Sequence, residues 1–214
     1  MCHLYGIIYT PTPFELKLLY NAKPEYPSTE VIMKNRLMDG CIASIKNKGV
    51  SKTSIRDIAL NTGIARQTVY KHFKNKNEIL AATFQREGLT FALEVADYIR
   101  DFSDTEDKFI AGFIYVVENF TKNPILAQVV APGSTFLNDV GMQFFNFSDF
   151  GKIVYRHVFE KNPELEKHSE AISELWIRNS LSYIAMPGPK RTSKEFSVFI
   201  KERLIPGIGL QHIK

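Results

Sequence analysis

The residues best equipped for chemistry lie in one short stretch. From Thr53 to Leu80 the chain reads TSIRDIALNTGIARQTVYKHFKNKNEIL, and most of its polar side chains carry hydrogen-bond donors. Such donors suit an acceptor-rich polymer. Arg pairs with guanine O6 and N7, and Gln with adenine N6 and N7. Arg66, Gln67 and Thr68 are therefore candidate base readers, Thr68 by packing on a thymine methyl or by donating to phosphate. Thr53, Tyr70, Lys71, His72 and Lys76 are candidate phosphate holders, which fix register rather than read sequence. Lys76 stands in the first turn of the following helix, where free backbone N–H groups also attract an anion.

These side chains need elements that aim them outward together. Thr53 is placed to cap a short helix whose Ile55, Ile58 and Ala59 face inward, Ala59 being small enough for a close helix crossing. Gly63 sits where a tight turn needs positive φ. Ile64, Val69 and Phe73 then give a second short helix its inward face, and Arg66, Gln67, Thr68, Lys71 and His72 its outward one. Two short helices about a glycine turn form a helix-turn-helix. Ahead of it, helical periodicity starts near Thr29, with Leu37, Met38, Cys41, Ile42 and Ile45 as an apolar stripe. Gly49 ends that helix, and Lys46 and Lys48 complement the negative end of its dipole.

Charge is distributed to match. Residues 29–80 hold ten Lys/Arg against four Asp/Glu, a net +6, while residues 1–28 balance and residues 81–214 sum to −2, within an overall +4. A basic front and a mildly acidic rear suit a nucleic-acid-contacting module joined to a different kind of domain.

The same stretch resembles the TetR/AcrR family of bacterial regulators. Leu37-Met38-Asp39-Gly40-Cys41 stands at the family's distance ahead of Gly49. Thr-Ser-Ile-Arg-Asp-Ile-Ala, the Gly63-Ile64 turn, the Tyr70/Phe73 pair and Lys76-Asn77-Glu78-Ile79-Leu80 follow in order and spacing. The resemblance is strong over about a quarter of the chain. Two departures stand out. Ala65 replaces the family's Ser or Thr, which removes a side-chain cap worth about 0.5–2 kcal/mol. Gly40 inside the first helix costs up to about 1 kcal/mol relative to Ala. Members also tend to begin shortly before this helix, as Met33-Lys34-Asn35-Arg36-Leu37 does, so residues 1–32 are either an over-extended reading frame or a genuine arm.

The resemblance implies a sequence-specific regulator bound to double-stranded DNA at a palindromic operator. It implies a homodimer, and repression relieved by a small hydrophobic or aromatic effector. The alternative is a DNA-bound regulator controlled by a protein partner. The organisation expected is an N-terminal extension (1–28), a helix-turn-helix domain (29–80) and a helical effector-binding and dimerisation domain (81–214). The fold class is all-α with about nine helices.

In the rear part, Asn75 with Glu78 opens a helix to about Asp101, and Asp104 caps another to about Lys122. A short helix after Pro124, one over 136–159, one from Pro163 to Ala185 and one capped by Ser193 complete it. Phe109, Phe113, Phe144, Phe145, Phe147, Tyr155 and Trp176 are effector-pocket candidates, with His157 and Asn179 as polar anchors. Leu165, Ile172, Trp176, Tyr183, Phe196, Phe199 and Ile200 are dimer-interface candidates.

Other classes fare poorly. No Gly-x-Ser-x-Gly, phosphate-cradling glycine loop or His-Glu-x-x-His occurs, and no Cys/His pair has metal-ligand spacing, so neither enzyme, metal nor cofactor is expected. Two cysteines, no apolar run of about 18 residues and no signal-like leader point to a cytoplasmic protein without membrane association.

Overall fold

The computed structural model describes residues 28–134 and 147–209. They divide into two compact units: residues 28–90 with Gly133 and Ser134, and residues 91–132 with 147–209. Eleven α-helices and no strand stand among the described residues.

The first unit holds α1 (Thr29–Lys52), α2 (Ile55–Thr62), α3 (Arg66–His72) and the front of α4 (Lys76–Ile99). Ser28 caps α1, and the expected break falls at Gly49, where φ 81° and ψ 169° interrupt the helical run. The apolar stripe of α1 becomes core: Leu37, Met38, Cys41 and Ile45 are buried, as are Ile58, Val69, Phe73 and Phe84 of the same unit. Burial pushes the Cys41 thiol up to about 11, so it behaves as a small apolar side chain.

Gly40 has a tertiary reason that local propensity hides. A Cβ there would lie 2.3 Å from Thr62 Cγ2 and 3.1 Å from the Ile58 carbonyl oxygen. Glycine is what lets α1 and α2 approach so closely, a role the sequence suggested for Ala59. The Asn61 side-chain amide then donates to the Gly40 carbonyl across the crossing, at 3.1 Å.

The second unit takes in the rest of α4, from Phe91, followed by α5 (Thr105–Asn119), a 3₁₀ turn at Phe120–Lys122 and α6 (Ala127–Val130). After the undescribed 135–146 come α7 (Phe147–Val154), α8 (Arg156–Lys161), α9 (Pro163–Glu166), α10 (Ser169–Ala185), α11 (Ser193–Arg203) and a 3₁₀ turn at Ile205–Ile208. Asp104 caps α5 as expected, accepting from the N–H groups of Glu106 and Asp107 at 2.7 and 3.2 Å. Packing is closest between α7 and α10, where a Cβ on Gly151 would meet Ser173 Cβ at 2.3 Å.

Three expectations need correction. The single helix expected over 136–159 is, in its described part, two helices broken at Tyr155, whose buried ring stacks on Phe109 with centroids 4.2 Å apart. The helix expected from Pro163 to Ala185 breaks at Lys167-His168, with Leu165 and Ile172 buried on either side. The helix capped by Ser193 is capped instead by Thr192, whose hydroxyl accepts from Glu195 N–H at 3.3 Å while the Glu195 carboxylate accepts from Thr192 N–H at 2.8 Å.

Gly40→Ala sets a gain in helix propensity of up to about 1 kcal/mol against an overpacking cost of about 1–3 kcal/mol. Thermal unfolding should show a lowered midpoint, and a raised one would mean that the crossing has room to spare.

Candidate nucleic-acid interface

The candidate interface is built on α2, whose start is fixed one residue later than the sequence alone suggests. Ser54, not Thr53, is the N-cap: Asp57 N–H donates to Ser54 Oγ at 3.3 Å, and Ser54 N–H donates to Asp57 Oδ2 at 3.0 Å. Thr53 is buried, and its hydroxyl donates to the Gly49 carbonyl at 2.8 Å. Its proton is thus already used inside the chain, which removes it from the phosphate-holding set. Lys48 adds an ion pair to Asp57 at 2.7 Å. That hydrogen bond from Lys48, with a second from Ser54, holds the Asp57 carboxyl below the usual carboxylate range.

Helix α2 ends on Gly63, which adopts the left-handed conformation (φ 65°, ψ 23°). Gly63 N–H bonds back to the Ala59 and Leu60 carbonyls, and Ile64 N–H to Ala59 O at 3.1 Å. These bonds satisfy carbonyls that a helix end leaves open. The Thr62 carbonyl is taken by the Arg36 guanidinium at 2.7 Å.

Helix α3 has no side-chain cap, as Ala65 implies. Val69 and Phe73 bury its inner face, whereas Ile64 is only half-buried. Arg66, Gln67 and Lys71 are exposed, Tyr70 is 48% exposed, and Thr68 and His72 are half-buried. Arg66, Gln67, Tyr70 and Lys71 thus form one solvent-facing set on a single short helix. Lys76, at the start of α4, donates to the Ser51 carbonyl at 2.8 Å, and Asn75 Oδ1 caps this helix by accepting from Glu78 N–H at 2.9 Å. The Arg86 guanidinium reaches back to α1, donating to Asp39 Oδ1 at 2.7 Å and to the Asn35 carbonyl at 3.2 Å.

Ser54, Asp57, Arg36 and Asn61 escaped the sequence reading, which gave Lys48 a place at the end of α1 but not its pairing with Asp57. For Ser54 and Asp57 a signal existed, because Ser-x-x-Asp before an apolar run has capping-box spacing. Arg36 and Asn61 act on backbone carbonyls distant in sequence, which leave no motif.

In the second unit, Phe109, Phe113, Tyr155 and Trp176 form one buried aromatic cluster. Trp176 meets Phe109 and Phe113 edge-on, with centroids 5.4 and 5.0 Å apart. Tyr155 donates to the Phe109 carbonyl at 3.5 Å, and burial raises its phenol pKa. His157 is no inward anchor: its side chain is 66% exposed and pairs with Glu160 at 3.2 Å. Asn179 likewise spends its amide on the Leu175 carbonyl of its own helix, at 2.7 Å. Phe144, Phe145 and the side chain of Phe147 lie outside the described residues. An open cleft of about 520 Å³ lies elsewhere in this unit, lined by Leu165, His168, Ile172, Leu175 and Ile208 among others.

Of the dimer-interface candidates, Leu165, Ile172, Trp176 and Ile200 are buried within the single chain. They cannot meet a partner without opening their own core, and they leave the set. Tyr183, Phe196 and Phe199 are half-buried and mutually packed, with the Arg191 guanidinium 4.5 Å from the Phe199 ring centre. The exposed apolar side chains on these two helices and just past α10 are Leu175, Met186 and Val198.

Among the described residues, no group of three or more His, Cys, Asp or Glu is arranged to hold a metal, and no helix is long and apolar enough to cross a membrane.

Residues 37–83, from the apolar stripe of α1 into α4, match the family described as bacterial regulatory proteins, tetR family. The TetR family repressor AlkX from a Dietzia species, implicated in n-alkane biodegradation, is 18% identical, with 84% of this chain and 98% of that one covered and a TM-score of 0.61. The fatty acid degradation regulator FadR from Bacillus halodurans is 16% identical, with 87% and 96% covered and a TM-score of 0.53. At these identities the two structures establish a shared fold.

The caps can be tested directly. Ala65→Ser supplies the cap that α3 lacks and should stabilise the protein by about 0.5–2 kcal/mol, read as a raised thermal midpoint. Asp57 has a lowered folded pKa, so its contribution is present above the ordinary carboxylate pKa and lost as pH falls through the lowered value. Asp57→Asn should reduce stability at neutral pH and flatten the acid slope of the midpoint. A slope equal to wild type would show that Asp57 does not couple to folding.

Proposed function

We propose that this chain, whose residues 37–83 match the tetR family of bacterial regulatory proteins, is a DNA-binding regulator in which α3 is a recognition helix that enters the major groove and reads base edges through Arg66 and Gln67. The observation that carries this reading is the exposed set Arg66, Gln67, Tyr70 and Lys71 on a helix whose opposite face is locked by Val69 and Phe73. A donor-rich face on a short helix, backed by a rigid crossing, has the width and chemistry that a major groove accepts. Thr68 adds a methyl and a hydroxyl beside the base readers. Tyr70, Lys71, His72 and Lys76 hold phosphates on either side and set register.

The regulator acts as a homodimer on a palindromic operator, since two recognition helices must meet major grooves about 34 Å apart. Tyr183, Phe196 and Phe199, with the exposed Leu175, Met186 and Val198, supply the apolar surface for pairing. Repression is relieved by a small apolar or aromatic effector taken up by the second unit. Its aromatic interior supports this reading. Because Phe109, Phe113, Tyr155 and Trp176 fill each other's space, an effector admitted there must part these rings. The release of DNA is then a population shift, bounded by the effector's differential affinity for the two states.

Trp176 is the only tryptophan in the chain and is 3% exposed. Its emission therefore reports on this interior. An effector should change Trp176 emission and lower DNA affinity by the same factor by which DNA lowers affinity for the effector. Ligands that weaken DNA binding while leaving the emission untouched would relocate the site.

DNA recognition is tested by selecting bound sequences from a random duplex pool, then comparing variants on the selected site. Arg66→Ala or Gln67→Ala should cost about 1–3 kcal/mol on that site and relax preference at one position per half-site. Lys71→Ala should weaken all sequences alike and reduce the salt slope by about 0.9. Equal losses for Arg66→Ala on selected and random duplexes would mean that Arg66 does not read bases.

A further inference from the structure

A helix of seven residues without an N-cap does not hold its own direction. Val69 and Phe73 fix how deeply α3 sits, but two side chains on one face leave its angle to the turn that precedes it. That turn is held from outside. The Thr62 carbonyl, at the negative end of α2, accepts from the Arg36 guanidinium of α1 at 2.7 Å, a favourable place for a cation. One residue earlier, Asn61 is tied to the Gly40 carbonyl of α1 at 3.1 Å. The two bonds run in opposite directions between the same pair of helices, immediately before the left-handed Gly63. Thr62 itself leaves no slack, since its hydroxyl donates to the Ile58 carbonyl at 2.8 Å and its methyl fills the space above Gly40.

We propose that Arg36 is a positioning residue for DNA recognition: it sets the α2–α3 turn, and through it the angle at which α3 presents Arg66 and Gln67, without itself touching DNA. The inference rests on the base-reading role proposed above. It separates Arg36 from the other cations of this unit. A phosphate-binding Arg adds affinity for any duplex and adds to the salt slope. A positioning Arg changes only the contacts that need an exact angle, which are the base contacts. The adjacent residue Asn35 is bonded through its carbonyl to Arg86 at 3.2 Å, so the segment of α1 that carries Arg36 is itself anchored to α4.

The test measures wild type, Arg36→Met and Arg36→Lys on the selected operator and on random duplex, across a range of salt. Arg36→Met keeps the apolar stem and removes the donor. It should lose roughly ten- to hundredfold on the operator, the scale of one charge-assisted hydrogen bond, with random-duplex affinity and salt slope unchanged. Arg36→Lys should recover part of the loss, because an ammonium can still donate to a carbonyl. A salt slope reduced by about 0.9 with an unchanged operator preference would make Arg36 a phosphate contact and overturn the proposal, as would unaltered binding. Should Arg36→Met fail to fold, Asn61→Ala removes the companion bond and no charge, and is read in its place: its operator preference must fall, and an unchanged one overturns the proposal. A wild-type protein without preference among duplexes would sink the base-reading role and this inference with it. Wild type and Arg36→Met discriminating equally would sink this inference alone.

Discussion

The approach of α1 to α2 at Gly40 is the constraint from which the helix-turn-helix follows. With 2.3 Å between the position of a Cβ there and Thr62 Cγ2, only a glycine admits this spacing. The closeness brings the carbonyl and side-chain groups of the two helices within hydrogen-bonding reach. The short spacing puts Thr62 O near Arg36 and Gly40 O near Asn61. It also closes the apolar interior in which Leu37, Cys41, Ile58 and Val69 are fully buried. Helix α3, too short to stand alone, takes its place from that interior and from the turn at Gly63. A glycine that looks like a local cost on α1 is the residue that makes the crossing possible.

Much of this was legible in the sequence because it is written in short spacings. The apolar stripe of α1, the Gly63 turn, the inward Val69 and Phe73 and the outward Arg66, Gln67 and Lys71 are all set within one or two helical turns. The two caps misplaced by one residue share a cause. Thr53-Ser54 and Thr192-Ser193 are both adjacent hydroxyl pairs, and which member caps is decided by the acid three residues on, Asp57 for Ser54 and Glu195 for Thr192. What stayed hidden depends on distant partners. Gly40 answers to Thr62, Arg36 reaches a carbonyl 26 residues away, and Tyr155 breaks its helix while stacking on Phe109.

The second unit illustrates the same limit. Aromatic composition correctly identified an interior, but composition does not say which faces point inward. Trp176 and Ile172 were expected at a dimer interface, and burial assigns both to the core of their own chain. His157 and Asn179, expected as polar anchors, turn out to face solvent or their own backbone. No glycine or proline marks the breaks at Tyr155 and Lys167-His168, so tertiary packing there overrides a continuous helical pattern.

On the function proposed above, the first unit is a scaffold for reading base sequence. The most direct measurement is a titration of the purified protein on the intergenic DNA upstream of its own coding region against random duplex, at two salt concentrations. Tight binding centred on a palindrome is expected, with a footprint fit for a dimer and a preference over random duplex that survives at the higher salt. Binding that is equally weak on both duplexes and falls with salt alone would contradict it, since it would reduce Arg66 and Gln67 to parts of a basic surface.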